Sequence, residues 1–151
     1  MISMSMRLKP IGLSEKESVK ALFTSVFTSE PWNDDWSDET QLDLYLCDLM
    51  DQNNSLTYGL FDDDELIGLS MGHIRHWYSG TEYFIDEFCI RTDRQGQGAG
   101  TLFLAEIEKA IKALGLTHIF LQTENDVPAF DFYRKNGFYQ LPHHVGFAKK
   151  I

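Results

Sequence analysis

The sequence predicts a mixed α/β fold: a central, mostly antiparallel sheet with helices on both faces. Three observations predict it. Segments of strand and helix type follow one another in the order βααβββαβαββ, which a mixed sheet flanked by helices accommodates. A strand-type run over residues 83–90 hands over, through a glycine-rich turn, to a stretch in which Leu102, Phe103, Ile107, Ala110, Ile111 and Leu114 recur at helical spacing. The chain has 151 residues, 43% hydrophobic and 13% aromatic, which suits one domain over residues 1–151 with a real core and excludes a disordered chain.

Taken in order, Arg7-Leu8-Lys9-Pro10 reads as the end of a first strand. Ser14 with Glu17 three residues on forms a capping box, and Val19, Leu22, Phe23, Val26 and Phe27 follow at helical spacing, so a first helix is expected over 15–28. Ser37 is placed to cap a second helix, with Asp38 and Glu39 in its first turn. Leu42, Tyr45, Leu46, Leu49 and Met50 carry its buried stripe. Residues 56–61 and 66–74 read as a hairpin closed by Asp62-Asp63-Asp64-Glu65, a run that lacks the glycine and ligand spacing of a calcium loop. In the returning strand Ile67, Leu69 and Met71 alternate with Gly68, Ser70 and Gly72, giving one apolar and one slim face. A third helix is expected over 99–114 with Gly115 as its stop, and a strand over 117–123. Pro128 starts a fourth helix that Gly137 ends, and 138–140 with 145–149 read as a closing antiparallel pair.

Composition narrows function. The net charge of −10 disfavours nucleic acid, whose phosphates would be repelled, and is compatible with a cationic substrate. No apolar run is long enough to span a membrane, and Met1 to Met6 is too short and polar for a leader, so the expected location is cytoplasmic. Cys47 and Cys89 fall in a predicted helix and a predicted strand and read as reduced, buried thiols. His73 and His76 lie three apart on a strand and point to opposite faces, so no metal site is expected; His143-His144 meets the same difficulty.

The turn between residues 94 and 101 carries the chemistry. Unpaired N–H groups and a partial positive charge gather at a helix N-terminus, and glycines let backbone approach a bulky anion, phosphate above all. No Lys-Ser or Lys-Thr follows the last glycine, and Gly96, Gly98 and Gly100 fall at alternate positions, so neither a Walker loop nor a dinucleotide fingerprint is present.

Gln95-x-x-Gly98-x-Gly100 resembles the pyrophosphate-binding signature of the GCN5-related N-acetyltransferases (GNAT). Ala129-Phe130-Asp131-Phe132-Tyr133-Arg134-Lys135-Asn136-Gly137-Phe138 is similar to that superfamily's C-terminal signature, in the family's order and near its usual separation. The resemblance covers nearly the whole chain and implies the same fold and acetyl-CoA as cofactor. It implies that backbone amides over Gln95, Gly96, Gln97, Gly98, Ala99, Gly100 and Thr101 grip the pyrophosphate, with Arg94 adding charge. It implies an oxyanion donor among Phe88, Cys89 and Ile90, with Cys89 preferred, and Tyr133 as the proton donor to the departing thiolate. Many relatives carry a cofactor-contacting asparagine where this chain has Asp126; Asn125, one residue earlier, is the substitute considered.

An amine acceptor needs a base, since an ammonium has no lone pair. Asp86 and Glu87 are the acids of the strand before the turn. Adjacent strand residues point to opposite faces, so one is expected in the cleft, and a β-bulge would decide which; Glu87 is preferred and Asp86 kept. Residues 30–39 join Trp32 and Trp36 to five acids, among them Asp34 and Asp35. They read either as a capped connector covering the core or as an acceptor wall whose aromatic faces and carboxylates suit an ammonium. The function expected is direct acetyl transfer to a primary amine of a cationic small molecule, such as a polyamine or an aminoglycoside-like amino sugar. A peptide or protein amine, or a non-catalytic acyl-CoA-binding regulatory module, is the alternative. Relatives commonly form dimers, but no residue pattern here places a homodimer interface.

Overall fold

The computed structural model describes residues 5–151; residues 1–4, part of the stretch judged above too short and polar for a leader, lie outside the described residues. Five strands form one sheet in the order β1 (Met6–Pro10), β2 (Ser55–Asp62), β3 (Glu65–Trp77), β4 (Gly80–Ile90) and β5 (His118–Leu121). Neighbours are antiparallel except β4 and β5, which are parallel. Helices α1 (Lys16–Phe27) and α2 (Glu39–Met50) cover one face, α3 (Ala99–Ala113) covers the other, and α4 (Pro128–Lys135) follows β5.

Two apolar layers result. Val19, Leu22, Phe23 and Val26 of α1 and Leu42, Leu46 and Leu49 of α2 bury against Leu69, Met71 and Cys89. Phe103, Ile107 and Ile111 of α3 bury against Leu60, Tyr83, Ile85 and Ile90 on the other side. Gly68 belongs to the slim face: an added Cβ would sit about 3.0–3.2 Å from Ile90, Leu60 and Phe103. Ile67 does not share the Leu69 and Met71 face as the alternation implied. It packs in the α3 layer, because the β2–β3 register shifts at Leu60/Phe61 and two consecutive residues turn the same way.

The helix ends differ in detail from the sequence expectation. A short 3-10 turn, Leu13–Glu15, precedes α1, and the Glu15 carboxylate accepts from the Gly12 N–H at 3.0 Å and the Ser14 hydroxyl at 2.9 Å. Ser14 therefore donates to a neighbour and does not cap. Asp38, not Ser37, caps α2 by accepting from the Gln41 N–H at 3.1 Å; the Ser37 N–H donates to Asp35 instead. After α3, Gly115 takes φ +88 and the Leu116 N–H reaches the Ile111 carbonyl at 3.0 Å, the paired closure that a glycine stop permits.

The closing strand pair does not form. Residues 138–151 have no ladder partner, and Tyr139, Val145 and Phe147 stand exposed. Gly137 turns the chain at φ +88, and Pro142 removes a donor just where the His144 N–H folds back to the Leu141 carbonyl. The sheet therefore ends at β5. Among the described residues no helix is long and apolar enough to cross a membrane.

Candidate active site

The sheet opens at one place. The β4–β5 ladder stops at Ile85↔Leu121, whereas β3 stays paired with β4 as far as Gly68↔Ile90. Beyond Ile85 the outer edge of β4 faces no strand, and α4 lies across the gap. A cleft of about 430 Å³ results, lined by Phe27, Trp32, Asp34, Asp86, Glu87 and Tyr133, among others.

A β-bulge shapes it. The β3–β4 register shifts between Met71↔Glu87 and Gly72↔Ile85, leaving Asp86 as the extra residue. Ile85 and Phe88 both pack into the α3 layer, while Asp86 and Glu87 between them both line the cleft. The expectation that only one acid could enter the cleft is corrected: the bulge breaks the alternation on which it rested. Each acid is fastened by a different neighbour. Asp86 meets His73 Nδ1 of β3 at 2.9 Å, and His73 stacks on Phe84. Glu87 accepts from the Tyr45 hydroxyl of α2 at 3.3 Å.

Burial pushes the Glu87 carboxyl up to about 7, and the nearby Asp34 and Asp86 push the same way, while the Tyr45 hydrogen bond pulls it back. Burial also raises the Tyr133 hydroxyl above its ordinary value, so it holds its proton at neutral pH. Tyr133 packs edge-on against Phe88 at 6.2 Å and Phe138 at 5.4 Å. The buried Cys89 thiol is pushed up to about 12 by desolvation, so no thiolate is available there at neutral pH. The amides of Phe88 and Ile90 point to the strand edge where the sheet opens, whereas that of Cys89 between them is directed at Leu69 of β3, so the preference for Cys89 as oxyanion donor is corrected to its two neighbours.

The glycine turn lies at the start of α3. Gly96 and Gly98 take φ +73 and +85, a region that side chains disfavour, and Gly98 is the N-cap. The first intrahelical bond runs from the Leu102 N–H to the Gly98 carbonyl at 3.1 Å, so the N–H groups of Ala99, Gly100 and Thr101 precede it. No acidic residue stands in the first turn. Exposed glycines, unpaired amides and the absence of a repelling carboxylate fit a pyrophosphate. Gly100 has a second reason to lack a side chain: its Cβ would stand 2.9 Å from the Phe132 ring of α4.

The other predicted residues divide between the turn, the cleft and their surroundings. The Arg94 guanidinium pairs with Asp62 at 2.7 Å, a β2 residue far back in the chain, so its charge is partly spent. The Gln95 side chain donates to the Ile90 carbonyl at 2.9 Å, tying the turn to the strand end. Gln97 is exposed in the turn. Asn125 and Asp126 line a larger groove between β5, α4 and the C-terminal tail, which adjoins the cleft and shares residues 121–124 and Tyr133 with it. Trp32 and Asp34 reach the cleft, with Trp32 packed on Phe27. Asp35 is exposed and accepts from Ser37, and Trp36 packs inward, stacked on Tyr45 at 5.3 Å and edge-on to Phe23 at 5.6 Å. The connector and acceptor-wall readings of this loop thus divide between its tryptophans. Sequence reasoning missed Tyr45, which it read as buried stripe, and His73, which it weighed as a metal ligand; among the described residues no cluster suited to a metal occurs.

The chain is similar in structure to an aminoglycoside acetyltransferase, meta-AAC0020, from an uncultured soil metagenomic sample in complex with sisomicin (19% identity, 97% of each chain, TM-score 0.74). It is also similar to AAC(6')-Iy in complex with the bisubstrate analog CoA-S-monomethyl-acetylneamine (14%, 97% of this chain and 99% of that one, TM-score 0.74). A transcriptional regulator from Bacillus halodurans shares the fold as well (14%, 97% and 99%, TM-score 0.71). No curated protein sequence matches. At such identities these likenesses establish the fold. The profile of the Acetyltransferase (GNAT) family matches residues 17–138, most of the chain. By that match the chain belongs to the GNAT family and is an N-acetyltransferase.

Proposed function

We propose that the protein transfers the acetyl group of acetyl-CoA directly to a primary amine of a cationic small molecule, a polyamine or an aminoglycoside-like amino sugar. The observation that carries this reading is the pair of carboxylates, Asp86 and Glu87, turned by one bulge into a cleft that Asp34 and Trp32 also line. Three acids and an aromatic face in one open cleft suit an ammonium ion and repel an anion. The chain's net charge of −10 steers cations toward it.

Acetyl-CoA, when bound, supplies the thioester; amides of residues 96–101 would hold its pyrophosphate at the start of α3. Asp34 and Asp86 hold the acceptor as a cation. Glu87, whose carboxyl sits at about 7, accepts the ammonium proton and releases a lone pair at neutral pH. As the N–C bond forms and the C–S bond breaks, the amide of Phe88 or Ile90, which faces the open edge, stabilises the carbonyl oxygen. Tyr133 gives its proton to the departing sulfur and is restored by the second proton, which the acylated nitrogen sheds. The neighbours' names support the substrate class: one is an aminoglycoside acetyltransferase holding sisomicin, another holds an acetylneamine analog.

The test is thiol release from acetyl-CoA across polyamines, aminoglycosides, amino acids and basic peptides, with Glu87→Gln and Tyr133→Phe beside the wild type. The expected result is strong turnover on one cationic small-molecule class, with kcat reduced at least tenfold in Glu87→Gln. Turnover confined to basic peptides, or undiminished in both variants, would overturn the assignment.

A further inference from the structure

Glu87 is held from outside the cleft as well as exposed within it. Tyr45 does not line the cleft; it stands behind Glu87 on α2 and reaches forward to donate its hydroxyl to Glu87 Oε1 at 3.3 Å. The ring cannot swing away freely. Trp36 stacks on it at 5.3 Å with planes 12° apart, and Phe23 meets it edge-on at 6.1 Å. Trp36 is itself edge-on to Phe23, so two rings, from α1 and the connector, brace the ring that carries the hydroxyl. Burial raises the Tyr45 hydroxyl above its ordinary value, so it acts as a donor through the whole physiological range.

We propose that Tyr45 is a positioning residue, which fixes the Glu87 carboxylate in its ionised, cleft-facing form through this single hydrogen bond braced by Trp36 and Phe23. The inference rests on the reading of Glu87 as the base. It explains why a buried stripe residue ends in a hydroxyl. The other groups facing Glu87 all oppose ionisation or are neutral. Asp34 from the connector and Asp86 beside it on β4 are acids; Cys89 on β4 and Tyr133 on α4 keep their protons. Met71 of β3 and Phe27 of α1 bring no charge, and His73 of β3 is taken up by Asp86. Tyr45 is therefore the donor that counters them, since a hydrogen bond to a carboxylate favours its charged form.

The test needs no substrate. The side-chain carboxyl of Glu87 is followed by carbon-13 NMR in buffered protein from pH 4 to 10, its signal identified by its loss in Glu87→Gln. Wild type is expected to titrate near 7. In Tyr45→Phe, which keeps the stacked ring, the midpoint is expected to rise by about one pH unit, the tenfold weakening of acidity that such a bond accounts for. The ionised fraction at pH 7 then falls about fivefold, and returns above about pH 9. A role in packing alone would leave the midpoint where it was, and an unmoved or lowered midpoint overturns the proposal. A wild-type midpoint near 4.5 that still rises in Tyr45→Phe would uphold the Tyr45 contact and remove Glu87 as the base.

Discussion

Glu87→Gln should make the protein more stable at high pH and leave it unchanged at low pH. The carboxyl sits at about 7 in the folded chain against an ordinary 4.5, with burial as the main cause. The folded state thus binds the proton more tightly than the unfolded state. Its contribution to stability is complete below about pH 4.5 and is lost as pH rises through 7. Each pH unit between the two values is worth about 1.4 kcal/mol, so ionised Glu87 costs the fold roughly 3 kcal/mol above pH 8 as an upper figure. Glutamine keeps the shape, carries no charge and can still accept from Tyr45. Urea denaturation at pH 4 and pH 8 measures the effect. The variant should match wild type within about 0.5 kcal/mol at pH 4 and exceed it by about 1–3 kcal/mol at pH 8. Equal stabilities at both pH values would refute the claim that Glu87 is strained by desolvation. An enzyme that keeps such a group trades stability for a base poised at neutral pH.

Gly100→Val forces a branched side chain toward the Phe132 ring, which already stands 2.9 Å from an ideal Cβ. Overpacking should cost about 1–3 kcal/mol. In urea melts the double variant with Phe132→Ala should cost less than the two single changes together. Trp36→Ala removes a ring stacked on Tyr45 and edge-on to Phe23, and should cost about 3 kcal/mol. Trp36→Phe should cost under about 1.5 kcal/mol, partly because the buried indole N–H has no partner to lose. Phe147, 95% exposed in the tail, should tolerate Phe147→Ser within about 0.5 kcal/mol by thermal melt; a larger loss would mean that this side chain is covered in solution.

Much of the fold could be read from local pattern. Helical spacing located α1, α2 and α3 within a residue or two, and the acidic run located the β2–β3 turn, now a two-residue connection with Asp63 at φ +53. The handover from β4 through the glycines to α3 was equally plain, because strand period, glycines and helix period occur in sequence there. Features that depend on partners far along the chain were not legible. Whether Asp86 bulges depends on how β4 pairs with β3, and no property of Asp86-Glu87 alone states that register. The sequence around Arg94 gives no sign of Asp62, 32 residues earlier, whose carboxylate accepts from its guanidinium. Tyr45 sat in an apolar stripe, and its hydroxyl gained meaning only beside Glu87, 42 residues on. The terminal strands failed for the opposite reason: strand-type residues were present, but no ladder partner received them.

The measurement that tests the central claim most directly is amide chemical-shift mapping of nitrogen-15-labelled protein during titration with coenzyme A. By the proposal above, the cofactor binds where β4 and β5 part, beneath the start of α3. Shifts are expected to concentrate at Gly96 to Thr101, at Phe88 to Ile90 and around Gln122 to Glu124, with Tyr139 to Phe147 little moved. Shifts confined to the groove between β5 and the tail, or no shifts at saturating coenzyme A, would contradict it.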